Sequence, residues 1–432
     1  MSGKKTANCY TLGCRLNQAE TAIIAKSLNR AGYEIVTAEK SADLTVINTC
    51  TVTGQADAKC RQLVRRILRD NPETYVAVVG CYAQLDPQTI MAIKGVDLVI
   101  GNENKLNIAA YLNGLAKKDR PQLVHTRKIN RNAFEINTYG QYDSSTRANL
   151  KIQDGCNFVC SYCIIPKVRG PARSRVFNDI LKEARKLVEE GHRELVITGI
   201  NVGTYVYNGK TLVDVLQALE SIEDLARIRI SSIEPTTIAE QVVRLMADSA
   251  KICPHLHIPL QSGDDHVLKM MRRKYTAKEF ADFIESVYKT VPGIGIGTDV
   301  MVGFPGESWK SFINTKKLLA DLPVSYYHVF TYSDRPGTGS YRMQDKVSPQ
   351  YKKERNRIMI EQGRRKTYAF YDSFLNSYQD VLFEQKNGLN NWSGYTSNYM
   401  HVELPADEVL HNTIRRVKLT VIRNNCLTGA LI

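Results

Sequence analysis

No run of apolar residues in this sequence approaches the length of about eighteen that would cross a bilayer, so a membrane-spanning helix is not expected. The opening segment, MSGKKTANCYTLGC, carries two lysines but has neither an apolar h-region nor a small-residue cleavage site, and export is not expected either. Repeats of solenoid period and low-complexity tracts are also missing, which argues against a solenoid or a disordered scaffold. The 43% apolar and 24% charged residues describe an ordinary globular chain, and 432 residues imply two or three domains. Ten cysteines in a chain expected to stay in the cytoplasm are read as ligands or catalysts rather than as disulfides. A net charge of +14 suggests a polyanionic partner, because clustered cations release condensed counterions. Basic stretches recur at 59–69, 269–274, 351–357, 363–366 and 414–418; each alone reads better as a solvated face, and it is their recurrence in every third of the chain that favours nucleic acid.

The first 125 residues alternate β-rich runs (TANCYTL, ADLTVIN, ETYVAVVG, VDLVIG) with helical patterns, which predicts a parallel α/β sheet. Residues 126–147 are polar and aperiodic and read as a linker. A second alternation over 148–370 supplies six strand candidates, NLKIQDG, ELVITGIN, RIRISSIEP, HLHIPLQS, GIGTDVMVGFP and YYHVFTYS, predicting a partial (β/α)6 barrel with its chemistry at the strand C-terminal ends. From Pro349 a basic helix is expected. Residues 371–432 hold DVLFEQ, YMHVELP, RRVKLTVIR and LTGALI, the pattern of a small antiparallel β-barrel.

Two sets of cysteines carry the chemistry. Cys156-x-x-x-Cys160-x-x-Cys163 follows the first barrel strand, and three close thiolates can hold a cubane iron–sulfur cluster while leaving one iron open. A zinc site is the alternative, but the spacing is not that of paired zinc knuckles and no nearby histidine completes it. Cys14, Cys50 and Cys81 each follow a strand of the N-terminal domain, so a parallel sheet brings all three to one edge, where open α/β sheets bind ligands. Cys9 and Cys60 read as packing residues, and Cys253 and Cys426 match no motif.

The words GCRLNQAE, INTCTVT, VVGCYAQ and DGCNFVCSYCIIPKVRG resemble those of the methylthiotransferases of the radical S-adenosylmethionine (SAM) superfamily, and the resemblance extends over essentially the whole chain to a TRAM-like C-terminal domain. Within the family the pattern is most similar to the enzymes that act on threonylcarbamoyladenosine in tRNA. The resemblance implies two [4Fe–4S] clusters, a radical-generating one on Cys156, Cys160 and Cys163 and an auxiliary one on Cys14, Cys50 and Cys81. It further implies SAM as methyl donor and radical source, a tRNA anticodon stem-loop as substrate, an electron donor such as flavodoxin or ferredoxin, and a sulfur donor. Tyr162 takes the position that packs on the SAM adenine. Thr198, Gly199, Asn201, Ser232, Glu234, His257, Gln261, Asp299 and Gly303 resemble the positions that hold the amino group, ribose and carboxylate of SAM. Arg169, Arg272, Arg273 and Arg335 are candidates for substrate phosphate or carboxylate. Trp392, Tyr395 and Tyr399 either stack unpaired bases or fill the small barrel's core. The rival readings are a sibling acting on isopentenyladenosine or on a ribosomal-protein aspartate, and an iron–sulfur RNA-binding sensor without turnover.

Overall fold

A computed structural model of the chain describes residues 4–112, 114–117, 119–136, 138, 146–388 and 390–432. The N-terminal domain is a wholly parallel sheet in the order β2-β1-β3-β4-β5-β6, from β1 (Thr6–Thr11), β2 (Glu34–Ile35), β3 (Leu44–Thr49), β4 (Tyr75–Gly80), β5 (Val96–Ile100) and β6 (Gln122–Val124). Its central strands β3, β4 and β5 are buried along their whole length, as strands covered on both faces must be. The helix Arg15–Arg30 covers one face with Ile24 and Leu28, and the helix Gly54–Asp70 covers the other with Cys60, Val64 and Ile67. The edges β2 and β6 were not anticipated, being too short to show periodicity.

The central domain contains β7 (Arg147–Lys151), β8 (Glu194–Thr198), β9 (Arg227–Ile230), β10 (His255–His257), β11 (Gly295–Val302) and β12 (Tyr326–Thr331). They form two parallel three-stranded sheets, β9-β8-β7 and β10-β11-β12, joined by the bridges Ile228↔Ile252 and Ser232↔His257. The product is an open barrel. Leu150, Ile197, Ile228 and Ile230 face the surrounding helices, so by alternation Lys151, Glu194, Arg227 and Arg229 face inward and the interior is charged. The helix Pro349–Asp372 packs behind β12, with Met359 in the barrel's outer core.

Of the expected linker, 137 and 139–145 lie outside the described residues. The stretch before them is packed: Ile129 and Ile136 are buried, and the Ile136 amide donates to Asp179 Oδ2 (2.9 Å).

The C-terminal domain closes as β13-β14-β15-β17-β16, from β13 (Tyr378–Lys386), β14 (Asn391–Thr396), β15 (His401–Pro405), β16 (Thr413–Arg423) and β17 (Cys426–Leu431). Two features depart from the sequence reading. Strand β14 was not expected, and the barrel is not antiparallel throughout, because β15 and β17 meet in parallel through the single pair Val402↔Leu427. Trp392 lies in this barrel's core. Tyr395 and Tyr399 turn inward toward Arg147, with Arg15 and Arg229 also over the Tyr399 ring, so neither offers a free stacking face.

Candidate active site

The register of the N-terminal sheet sets Thr11 opposite Asn48 and Thr49 opposite Gly80, so the residues that follow β1, β3 and β4 emerge side by side. These residues lead to Cys14, Cys50 and Cys81. Gly13 lies against Cys50 with φ +107°; a Cβ there would stand 2.9 Å from the Cys50 Sγ, so glycine alone lets the two loops approach. Cys14 caps the helix Arg15–Arg30, and Cys81 opens the helix Cys81–Leu85, placing helix N-termini and their partial positive charge at both thiols. Burial raises the Cys14 thiol above its ordinary range, Arg169 and a hydrogen bond with Asn17 oppose that rise, and Cys81 adds to it. Burial likewise pushes Cys50 up to about 11, with Cys81 and Cys14 contributing. The three sulfurs thus feel one another as a group.

Cys156, Cys160 and Cys163 form a second group in the loop after β7. Burial, then the neighbouring Cys160 and Cys156, lift Cys163 to about 12. Arg273 Nη1 donates to the Cys160 sulfur (3.4 Å) and to Glu234 Oε1 (3.2 Å). The two loops touch: Cys81 packs on Ile164 and Val168, and Asn102 Nδ2 lies 3.6 Å from the Cys81 sulfur while donating to the Val168 carbonyl (2.6 Å).

Around the second group, Tyr162 packs edge-on against Phe304 and belongs with Val267, Met271 and Tyr332 to an apolar wall. Gln153 Oε1 accepts from the amides of Ile200 (2.9 Å) and Asn201 (3.0 Å), fixing the turn that contains Gly199. Asn201 Oδ1 accepts from the Glu234 amide (3.3 Å). Thr198 Oγ1 and Asn201 Nδ2 are buried and have no partner among the described residues. Ser232 Oγ contacts His257 Nδ1 (3.0 Å), and Gln261, at φ +70°, is bound through its backbone to β11. Burial would raise the Asp299 carboxyl, but His257 and His328 outweigh it and hold it down to about 2. Gly303 donates its amide to Glu307 Oε2 (2.7 Å) and lies against Lys352.

Residues 150–319 match the radical SAM superfamily, and residues 6–101 match the uncharacterized protein family UPF0004. The chain is 39% identical to the threonylcarbamoyladenosine tRNA methylthiotransferase MtaB of Bacillus subtilis over 96% of this chain and 93% of that one. It is 36% identical to the MtaB of Aquifex aeolicus, covering 91% and 95%, and 30% identical to the tRNA-2-methylthio-N(6)-dimethylallyladenosine synthase of Acetivibrio thermocellus, covering 100% and 92%. This chain belongs to the radical SAM methylthiotransferase family. Among solved structures, the radical SAM methyltransferase TsrM of Kitasatospora setae shares the fold at 14% identity, with a TM-score of 0.57 over 78% of this chain and 77% of that one.

Methylthiotransferases use SAM and two [4Fe–4S] clusters. The donor set fits: each loop gathers three free thiols, and the orphaned Thr198 and Asn201 atoms suit a polar ligand in the barrel mouth.

Three arginines expected to meet substrate are placed elsewhere. Arg169 is buried, donating through Nη1 to Glu20 Oε1 (2.9 Å) and Asp154 Oδ1 (3.0 Å) and through Nη2 to Asn17 Oδ1 (2.6 Å). Arg273 is tied to Glu234, Tyr275 and Cys160. Arg335 is buried after β12 and reaches back to the Cys50 loop, donating to Asp57 Oδ2 and Thr51 Oγ1, both at 2.6 Å. Their terminal nitrogens are thus engaged within the protein, although the Arg335 Nε has no partner among the described residues. Only Arg272 is exposed, at φ +58°.

Replacing Arg335 by methionine strands Asp57 and is expected to destabilise the contact between the N-terminal domain and the barrel by roughly 3 kcal/mol. Faster proteolysis of residues 50–57 measures the effect; unchanged protection would show that the ion pair carries little of the interface.

Asn17, Glu20, Lys151, Asp154 and Asn102 were not anticipated. Asn17 stands three positions beyond Cys14 and Glu20 three beyond Asn17, so each is a helical neighbour of the one before, which is the signal available in GCRLNQAE.

Proposed function

We propose that the chain is a tRNA methylthiotransferase that places a methylthio group on carbon 2 of the adenine of N6-threonylcarbamoyladenosine beside the anticodon. The observation that carries the reading is the direct packing of Cys81 on Ile164 and Val168, which puts the two thiol triads on abutting loops. A reaction that joins sulfur to an unactivated carbon needs the sulfur and the radical source within reach of one substrate atom. The adenine C–H is too inert for acid–base chemistry. Relatives bearing the threonylcarbamoyl name reach 33–39% identity, against 30–31% for those bearing the dimethylallyl name.

In this reading Cys14, Cys50 and Cys81 hold the auxiliary cluster, and Cys156, Cys160 and Cys163 hold the radical cluster. When bound, SAM and the clusters supply the radical that removes the adenine hydrogen and the methylated sulfur that takes its place. The protein orients and shields. Arg273 donates a hydrogen bond to Cys160 and offsets its charge, as Arg169 does for the first triad through the field that lowers Cys14. Thr198, Asn201, Ser232, Gln261 and Asp299 surround SAM, while Tyr162, Phe304, Met271 and Tyr332 exclude water. Glu234 is committed to Arg273, so its part is to position that arginine. The net charge of +14 suits an RNA substrate over a ribosomal-protein aspartate. A low-potential electron donor and a sulfur donor complete the turnover.

The test is mass spectrometry of tRNA nucleosides from cells with and without the gene. Loss of 2-methylthio-threonylcarbamoyladenosine, with the unthiolated nucleoside accumulating, is the expected result. Loss of the methylthio derivative of isopentenyladenosine instead would move the substrate to the sibling class. Neither change would overturn the RNA reading.

A further inference from the structure

Cys426 belongs to neither triad, yet it has a defined setting. It opens β17, beside β15, and its sulfur lies 2.8 Å from His401 Nδ1. His401 and Glu403 are two apart on β15, so both project from the face opposite Val402 and Leu404, which are in the core. One ligand atom from each of Cys426, His401 and Glu403 falls within 4.8 Å of the others. We propose that these three residues form a zinc site that staples the C-terminal strand to the small barrel.

The donor types are those zinc prefers: a thiolate, an imidazole and a carboxylate on a roughly tetrahedral centre, with water in the fourth position. Outer partners are already present. Ser393 Oγ lies 2.8 Å from His401 Nε2, and in the tautomer that carries its proton on Nε2 the ring donates to that oxygen and turns an unprotonated Nδ1 toward Cys426. Asn387 Nδ2 donates to Glu403 Oε2 (3.1 Å), and Oε1 lies 3.8 Å from His401 Nε2. Hydrogen bonds of this kind orient ligating imidazoles and carboxylates. On binding, the Cys426 S–H bond breaks, its proton passes to solvent, and a Zn–S bond forms without any change of oxidation state.

The location gives the site its purpose. Every other seam of the barrel is an antiparallel ladder of several pairs, whereas β15 and β17 are joined through Val402↔Leu427 alone. The proposed ligands straddle that seam, two on β15 and one on β17. A barrel this small has little core of its own, and a metal is a usual means of holding such a fold closed.

The experiment uses the full chain with both iron–sulfur clusters loaded anaerobically, incubated with zinc chloride and then passed over a weak chelating resin. About one zinc per chain is expected to remain. Cys426→Ala and His401→Ala should each lose it with iron per chain unchanged, and Glu403→Gln, which keeps the other two ligands, should bind zinc at least about tenfold more weakly. Zinc should also slow amide exchange across 401–405 and 426–431 in the parent but not in Cys426→Ala. Equal zinc retention by the parent and Cys426→Ala, or no retention by the parent, would overturn the site. Exchange that zinc leaves unaltered would overturn the staple. Iron content and SAM cleavage report on the cluster chemistry separately, so failure here is distinguishable from failure of the methylthiotransferase reading.

Discussion

Cys14→Ala is expected to abolish methylthio transfer completely while SAM cleavage to 5′-deoxyadenosine continues. Cys14 stands at the N-terminus of a helix on the N-terminal domain, with Asn17 and Arg169 beside it, whereas the triad proposed to form the radical belongs to the barrel loop that follows β7. Removing one of three thiols leaves two, too few to hold a cubane cluster with one open iron. Cys156, Cys160 and Cys163 keep their own partners, including Arg273. The measurement pairs nucleoside analysis with 5′-deoxyadenosine release under reducing conditions. If cleavage vanished in a folded variant with its barrel cluster intact, the division of labour between the triads would be wrong. The reciprocal variant, Cys160→Ala, should lose both activities.

Glu20→Ala is expected to be the most damaging change outside the thiols. Glu20 is fully buried and accepts from Lys151 (2.8 Å) and from both terminal nitrogens of Arg169 (2.9 Å each), and it is also paired with Lys105. These three cations hold its carboxyl well below the ordinary range against the opposing effect of burial. Without it, among the described residues Lys105 has no acid partner, and Lys151 and Arg169 share Asp154 with Arg173. Breaking one buried pair costs about 3–5 kcal/mol, and here three cations lose one anion together. Thermal unfolding followed by circular dichroism measures the loss. Glu20→Gln separates charge from shape: it should recover packing but not stability, and a glutamine variant as stable as the parent would show that the network contributes hydrogen bonds rather than charge pairing.

The sequence revealed different features unequally, for physical reasons. Parallel strands covered on both faces write themselves as apolar runs, so β3, β4 and β5 were readable, and with them the convergence of Cys14, Cys50 and Cys81. Strand β14 was not readable, because NWSGYT carries a glycine where a strand is usually apolar. Gly394 is needed there, since a Cβ would come 2.3 Å from the Leu382 carbonyl oxygen of β13. The arginines' partners were hidden for another reason. A basic residue near a motif shows charge but not direction, and the acids that capture these side chains are remote, Glu20 lying 149 positions from Arg169 and Asp57 lying 278 from Arg335. Long-range pairing leaves no local periodicity to read. The aromatics of the small barrel were ambiguous because stacking platforms and core residues use the same side chains.

The buried charge network has a consequence for grafting. Its acid, Glu20, is encoded in the N-terminal domain, and its main cations, Lys151 and Arg169, are encoded in the barrel. Within its own domain Glu20 keeps one cation, Lys105, while the barrel sets a single acid, Asp154, against Lys151 and Arg169. An N-terminal domain transplanted onto a foreign radical SAM barrel would retain the Lys105 pair but lose the other two cations of Glu20 unless the host offered cations at the positions of Lys151 and Arg169. The two domains therefore behave as a matched pair, and a working chimera is expected to exchange them together, along with the small C-terminal barrel, which Arg147, Arg227 and Arg229 of the central domain hold through Glu384 and the backbone carbonyls of Asp380, Tyr395, Thr396 and Ser397.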